Sequence, residues 1–167
     1  MKILALTAQA LISVSMGPRD AVAQEKSLQE QVVGTWAYVA VDIVRPDGSR
    51  VPLFGENPKG LAIFDNGGRY ILMTTRTDQP KFGSTNRMDG TAEENKAVVQ
   101  GSIAHFGRYV VNEADRSITF RIENSTFPNW NGTEQKRPVV VSGDELKWVT
   151  PASTGSGSAE VLLKRAR

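Results

Sequence analysis

Gly34-Thr35-Trp36-Ala37-Tyr38-Val39-Ala40-Val41-Asp42-Ile43 is the stretch on which the fold turns. Its residues alternate in character, the pattern of a strand with two different faces. Trp36, Tyr38, Ala40 and Asp42 fall on one face, and Val39, Val41 and Ile43 on the other. A second aromatic motif, Phe127-Pro128-Asn129-Trp130, lies far along the chain, with Gly132-Thr133-Glu134-Gln135 just after it. Each motif sets a large ring beside a residue that controls backbone direction, Gly or Pro. Such pairs suit the mouth or floor of a closed β-barrel, where a ring plugs one end.

Outward from this strand, short strands alternate with turns. Pro46-Asp47-Gly48-Ser49 is a turn, and residues 51–54 begin the return. Residues 61–64 read as a short apolar strand. Asp65-Asn66-Gly67-Gly68 is a hairpin turn, because Asn and Gly tolerate positive φ. Residues 69–75 continue as a strand, with Tyr70, Leu72, Thr74 and Arg76 on one face and Ile71 and Met73 on the other. Further strands are expected at 106–111, around Ile118, Phe120 and Ile122, at 134–141, at 146–149 and at 161–163, with a Gly/Ser loop over 153–158. Residues 77–90 are polar and read as a long loop. Thr91-Ala92-Glu93-Glu94 is a capping box that opens a helix expected to run to about Ile103. The sum is an all-β chain: an antiparallel up-and-down barrel of eight to ten strands with one inserted α-helix.

The N-terminus has a different character. Lys2 is followed by a mostly apolar, uncharged run, then Gly17-Pro18, then Ala21-Val22-Ala23. This order is that of a secretory signal peptide over residues 1–23, with cleavage after Ala23. The run is too short to span a bilayer. The expected organisation is leader 1–23, N-terminal linker 24–33 and barrel 34–167, with a periplasmic or secreted destination and no integral membrane segment in the mature chain.

Composition narrows the function. The 167 residues favour one domain able to bury a full core. With no cysteine, disulfides and thiolate metal sites are excluded. His105 is the single histidine, so no histidine-rich zinc site is possible, and no metal or cofactor is expected. Twenty basic residues against 18 acidic ones, with no basic tract, give nucleic-acid binding no support. No phosphate loop, dinucleotide fingerprint or nucleophile elbow is present.

Several segments, taken in order, resemble a known family. They are Gly34-Thr35-Trp36, Arg45-Pro46-Asp47-Gly48, Pro52-Leu53-Phe54-Gly55-Glu56-Asn57-Pro58-Lys59-Gly60, Ala104-His105-Phe106-Gly107-Arg108-Tyr109-Val110-Val111, and Ser125-Thr126-Phe127-Pro128-Asn129-Trp130-Asn131-Gly132-Thr133-Glu134-Gln135. The first matches the Gly-x-Trp signature of lipocalin and calycin barrels. Together they resemble the lipocalin-like domain family of bacterial and fungal proteins over residues 30–165. That resemblance implies a calycin-type barrel with an inserted helix and a cavity. It supplies no catalytic motif to carry over, and His105 stands where relatives often have an aromatic.

Three functions follow as expectations. The first is a binding module that holds a small hydrophobic or amphipathic molecule. Its cavity would be lined by Trp36, Tyr38, Tyr70, Tyr109, Phe120 and Trp130, with Arg76 or His105 fixing a polar end. Such a protein would be a monomer or weak dimer. The second is a cyclase- or isomerase-type enzyme using the same cavity, with His105, Glu123 and Tyr109 as candidate acid/base groups. The third is a filled barrel that uses residues 77–90 as a contact surface. For His105 the structural role weighed against catalysis is that of a cation at a helix C-terminus. Trp36 and Trp130 read as barrel plugs whose indole N–H groups need partners.

Overall fold

The computed structural model describes residues 26–150 and 158–167. The expected leader and the core of the Gly/Ser loop lie outside the described residues. Nine strands form one antiparallel sheet: β1 (Gly34–Val44), β2 (Arg50–Pro52), β3 (Lys59–Phe64), β4 (Arg69–Thr75), β5 (Ser102–Asn112), β6 (Ser117–Ser125), β7 (Glu134–Ser142), β8 (Glu145–Thr150) and β9 (Ser158–Arg165). Consecutive strands pair from β3 to β9, and β9 pairs back onto β1. The first residues of β1 pair with β3 and its last residues with β2. The result is a closed eight-stranded up-and-down barrel in which β2 is a short extension beside β1. Closure leaves no long unpaired edge.

One end of the barrel is sealed. Within the stretch read as a linker, Leu28–Val32 forms a short helix, α1, opened by a Ser27–Glu30 capping box. The Glu113 carboxylate accepts from the Leu28 and Gln29 N–H groups, both at 2.9 Å. Leu28 and Val32 are buried, and the fully buried Trp36 donates its indole N–H to the Val32 carbonyl at 2.8 Å. Arg165 stacks 4.2 Å over the Trp36 ring and donates to the Gln31 and Val33 carbonyls. The physical need for Gly34 follows. Its φ is +130°, and a Cβ there would stand 2.8 Å from Arg165 Nη1.

Above this plug lies an aromatic layer. Phe64 contacts Tyr70, Tyr109, Phe120 and Trp148, with ring centroids 5.0–6.4 Å apart, edge to face with Tyr109 and Trp148, tilted against Phe120 and stacked on Tyr70. Ile118, Ile122, Val139, Leu146 and Leu163 complete the core around it. The outer wall is laced with exposed ion pairs, among them Arg50 with Asp42 and Glu160, and Arg121 with Glu134. Each contributes little to stability.

Two expectations are corrected. The inserted helix, α2 (Ala92–Gln100), stops at the Gly101 C-cap rather than near Ile103, and β5 starts at Ser102. Residues 102–105 therefore belong to the sheet, and His105 sits inside a strand instead of at a helix end. The second correction concerns β1. Trp36 and Tyr38 do face inward, but a register shift between Tyr38 and Ala40 leaves Val39 as an extra, exposed residue. Beyond this bulge the phase inverts. Val41 turns into the barrel, while Asp42 reaches Arg50 on the outside.

Candidate functional site

The end opposite α1 is open, and a cavity of about 750 Å³ descends from it to the aromatic layer. Its wall comes from six of the nine strands. Tyr38 and Val41 project from β1, Leu72 and Thr74 from β4, and Ser102, Ile103 and His105 from β5. Arg137 comes from β7, Trp148 and Thr150 from β8, and Ala159 and Val161 from β9. The rim is built from connections: Leu53 and Phe54 after β2, the last residues of α2 (Val98, Val99, Gln100), and Thr126, Phe127 and Trp130 between β6 and β7. Pro128–Trp130 forms a single turn of 3-10 helix there, with Pro in its first turn. That turn holds Trp130 edge-on to His105, ring centroids 5.7 Å apart, and to Phe127 at 5.6 Å.

Few polar groups face this apolar space. His105 is buried, and its Nδ1 lies 2.7 Å from the Tyr70 hydroxyl. Burial, with the nearby Arg137 charge, pulls the imidazole pKa down to about 3, so the ring is neutral at physiological pH. Burial pushes the Tyr38 and Tyr70 hydroxyls up, so both stay protonated. Arg137 is buried with its guanidinium 4.5 Å over Phe120 and 5.6 Å from Trp148. One terminal nitrogen donates to Gln135 Oε1 at 2.7 Å, while its Nε has no partner. Burial lowers the Arg137 pKa to about 10, which leaves it charged near neutrality. Thr74 Oγ1 and Trp148 Nε1, on the same wall, also lack partners.

The residues singled out in the sequence are spread through the barrel. Tyr38, His105 and Trp130 line the cavity. Tyr70 and Phe120 stand in the layer beneath it, where Tyr70 supports His105. Trp36 belongs to the sealed end. So does Tyr109, whose hydroxyl donates to the Asp65 carbonyl at 2.7 Å and accepts from Gln29. Arg76 lies just past β4, is partly exposed, and pairs with Asp78 at 2.9 Å. Glu123 is on the outer wall between Arg69 and Arg108. The structure thus does not bring His105, Glu123 and Tyr109 together. Among the described residues, no three His, Asp or Glu side chains converge as metal ligands.

Arg137 and Trp148 are the most consequential of the cavity residues that sequence reasoning missed. Trp148 had a signal, since Leu146, Trp148 and Thr150 alternate with Glu145, Lys147 and Val149. Arg137 had almost none. Val139-Val140-Val141 carries no phase, so nothing told the inward set from the outward one.

An antiparallel barrel closed at one end, with an internal cavity opening at the other, defines a calycin-type β-barrel. The chain belongs to the lipocalin-like domain family, whose model matches residues 33–167. It is 31% identical over 81 residues to the 4'-hydroxy-3'-methoxypropiophenone carrier protein ppsC of Aspergillus oryzae, covering 45% of this chain and 73% of that relative. It is also similar to the crystal structure of a lipocalin-like protein from Bacteroides uniformis, at 12% identity and a TM-score of 0.46, covering 81% of this chain and 99% of that one. A second similar structure, an uncharacterized protein from Bacteroides eggerthii, has 14% identity and a TM-score of 0.39, covering 79% of this chain and 98% of that one.

Proposed function

We propose that this protein is a binding module that holds one small hydrophobic or amphipathic molecule in its barrel. The observation that carries this reading is the cavity itself. At about 750 Å³ it falls in the range of small-molecule sites, and aromatic and aliphatic side chains make most of its wall. Packed interiors leave few voids larger than a water molecule, so a space of this size is not a by-product of loose packing. The carrier relative from Aspergillus oryzae supports the same reading. Trp130 and Trp148 supply the assay, because a guest would touch both rings. Native mass spectrometry of the purified protein is expected to show a bound small molecule. Delipidated protein is expected to change its Trp emission saturably as an apolar probe is titrated in. A protein that stays empty and gives no saturable signal with any apolar probe overturns the reading.

A cyclase or isomerase in the same cavity is the alternative, resting on the His105–Tyr70 hydrogen bond in the cavity wall. His105→Gln separates the two: a catalyst loses turnover and keeps its ligand, whereas a binding module keeps the ligand and has no turnover to lose. Export is part of the proposal and rests on the leader-like order of residues 1–23. Its check is N-terminal sequencing of protein recovered outside the cytoplasm, where a start at Gln24 is expected.

A further inference from the structure

We infer that the guest carries a carboxylate, and that Arg137 receives it from within the cavity wall. The inference rests on the binding reading and goes beyond it by naming the chemistry of the ligand's polar end. A buried guanidinium normally has a counter-ion, because an unpaired charge in the interior is expensive. Arg137 has none: it makes no ion pair among the described residues, and no cavity-lining residue is Asp or Glu. Gln135 takes one of its donors and the Phe120 face supports its plane, yet Nε is unsatisfied. A position needed only for packing would be filled more cheaply by Met or Leu.

The rest of the wall has the same bias. Trp148 Nε1–H is a second donor without a partner, and the Thr74 hydroxyl a third polar group without one. His105 is neutral and adds no second positive charge. Among the described residues the cavity therefore offers one fixed cation and spare donors, and no anion. A planar, two-oxygen monoanion matches a single guanidinium. A phosphate dianion would leave half its charge uncompensated, and an ordinary phenol is not ionised near neutrality. The remaining wall, with Val41, Leu53, Phe54 and Trp130, calls for an apolar or aromatic body. The ligand class is an amphipathic carboxylic acid.

The test compares naphthylacetic acid with its uncharged methyl ester, titrated into the whole chain by Trp fluorescence and calorimetry. The acid is expected to bind about tenfold or more tighter than the ester. Arg137→Met should remove that preference by weakening the acid while leaving the ester within about threefold. Arg137→Lys, which keeps the charge and loses the fork, should retain part of it. Should Arg137→Met fail to fold, the acid–ester pair on the natural protein and on Arg137→Lys still decides the matter. Equal binding of acid and ester by the natural protein overturns the carboxylate and leaves the binding module standing. Acid preference that survives intact in Arg137→Met overturns the role of Arg137. Failure of the acid to bind a protein that does bind an uncharged apolar probe overturns this inference and leaves the binding module standing, whereas failure of every apolar probe overturns both.

Discussion

At the scale of single residues, His105 shows how burial sets chemistry. Enclosed by Tyr70, Phe120 and Trp130, the ring is held neutral. Its folded pKa, about 3, lies below the ordinary value of 6.5. Between those two pH values the unfolded chain therefore holds a proton that the folded chain does not. Stability is intact above about pH 6.5 and is lost as pH falls toward 3, by up to about 1.4 kcal/mol per pH unit from this group. In His105→Gln the fall in Tm between pH 6.5 and 4 should be shallower than in the natural protein; parallel Tm–pH curves would disprove it. Sequence reasoning found this residue but assigned it to the wrong setting. The helix-end reading depended on α2 continuing to Ile103, and Gly101, as C-cap, ends it earlier. Trp36 was legible for a local reason: Gly34 beside it has a backbone angle that other residues adopt at a cost. Arg137 was not, since a buried charge looks in sequence like any other strand arginine.

At the scale of elements, two kinds of local constraint matter. Where β5 meets β6 the register shifts between Phe106 and Gly107, and a Cβ on Gly107 would lie 2.1 Å from the Arg121 carbonyl oxygen. That neighbour is backbone and cannot swing aside. Gly107→Ala should cost about 2 kcal/mol or more in urea unfolding, a loss set by crowding. The second constraint holds α2. Thr91 and Glu94 cap it reciprocally, and Glu94 also accepts from Gly83 N–H at 2.7 Å, tying the preceding loop to the helix. α2 buries no side chain, so its caps matter more than its packing. Thr91→Ala should accelerate amide exchange in α2, corresponding to about 1 kcal/mol locally, and leave exchange in the barrel strands unchanged. The turns and the capping box were readable because each is a local sequence device. The faces of the strands were not. Leu61, Ile63, Ile71, Met73 and Phe106 lie exposed on the outside of β3–β5, while Thr74, His105 and Arg137 face inward. Polarity alone would invert the assignment on those strands, and the β1 bulge inverts it once more within one strand.

At the scale of the whole molecule, closure is the organising feature. The β1–β9 pairing turns a long twisted sheet into a cylinder, and each of the eight barrel strands depends on a neighbour on either side. Removing residues 158–167 would expose the edges of β1 and β8 and take Arg165 from the sealed end. The truncated chain is expected to aggregate in size-exclusion chromatography with light scattering; a soluble, folded monomer would contradict this. The architecture was legible because an up-and-down meander is written as strand, turn, strand along the chain. The cavity was not, because its volume depends on side chains from six strands and three connections meeting or failing to meet.

The plug formed by α1, Trp36 and Arg165 makes the barrel a vessel with one door. Under the proposed binding reading, the described residues leave a guest no second exit, so whichever part enters first would leave last. Two guests could not pass one another inside, and exchange would require the resident to vacate before a newcomer seats itself. Residence time would then depend on the rim, built in part from the end of α2 and the Trp130 turn, as well as on the contacts made inside.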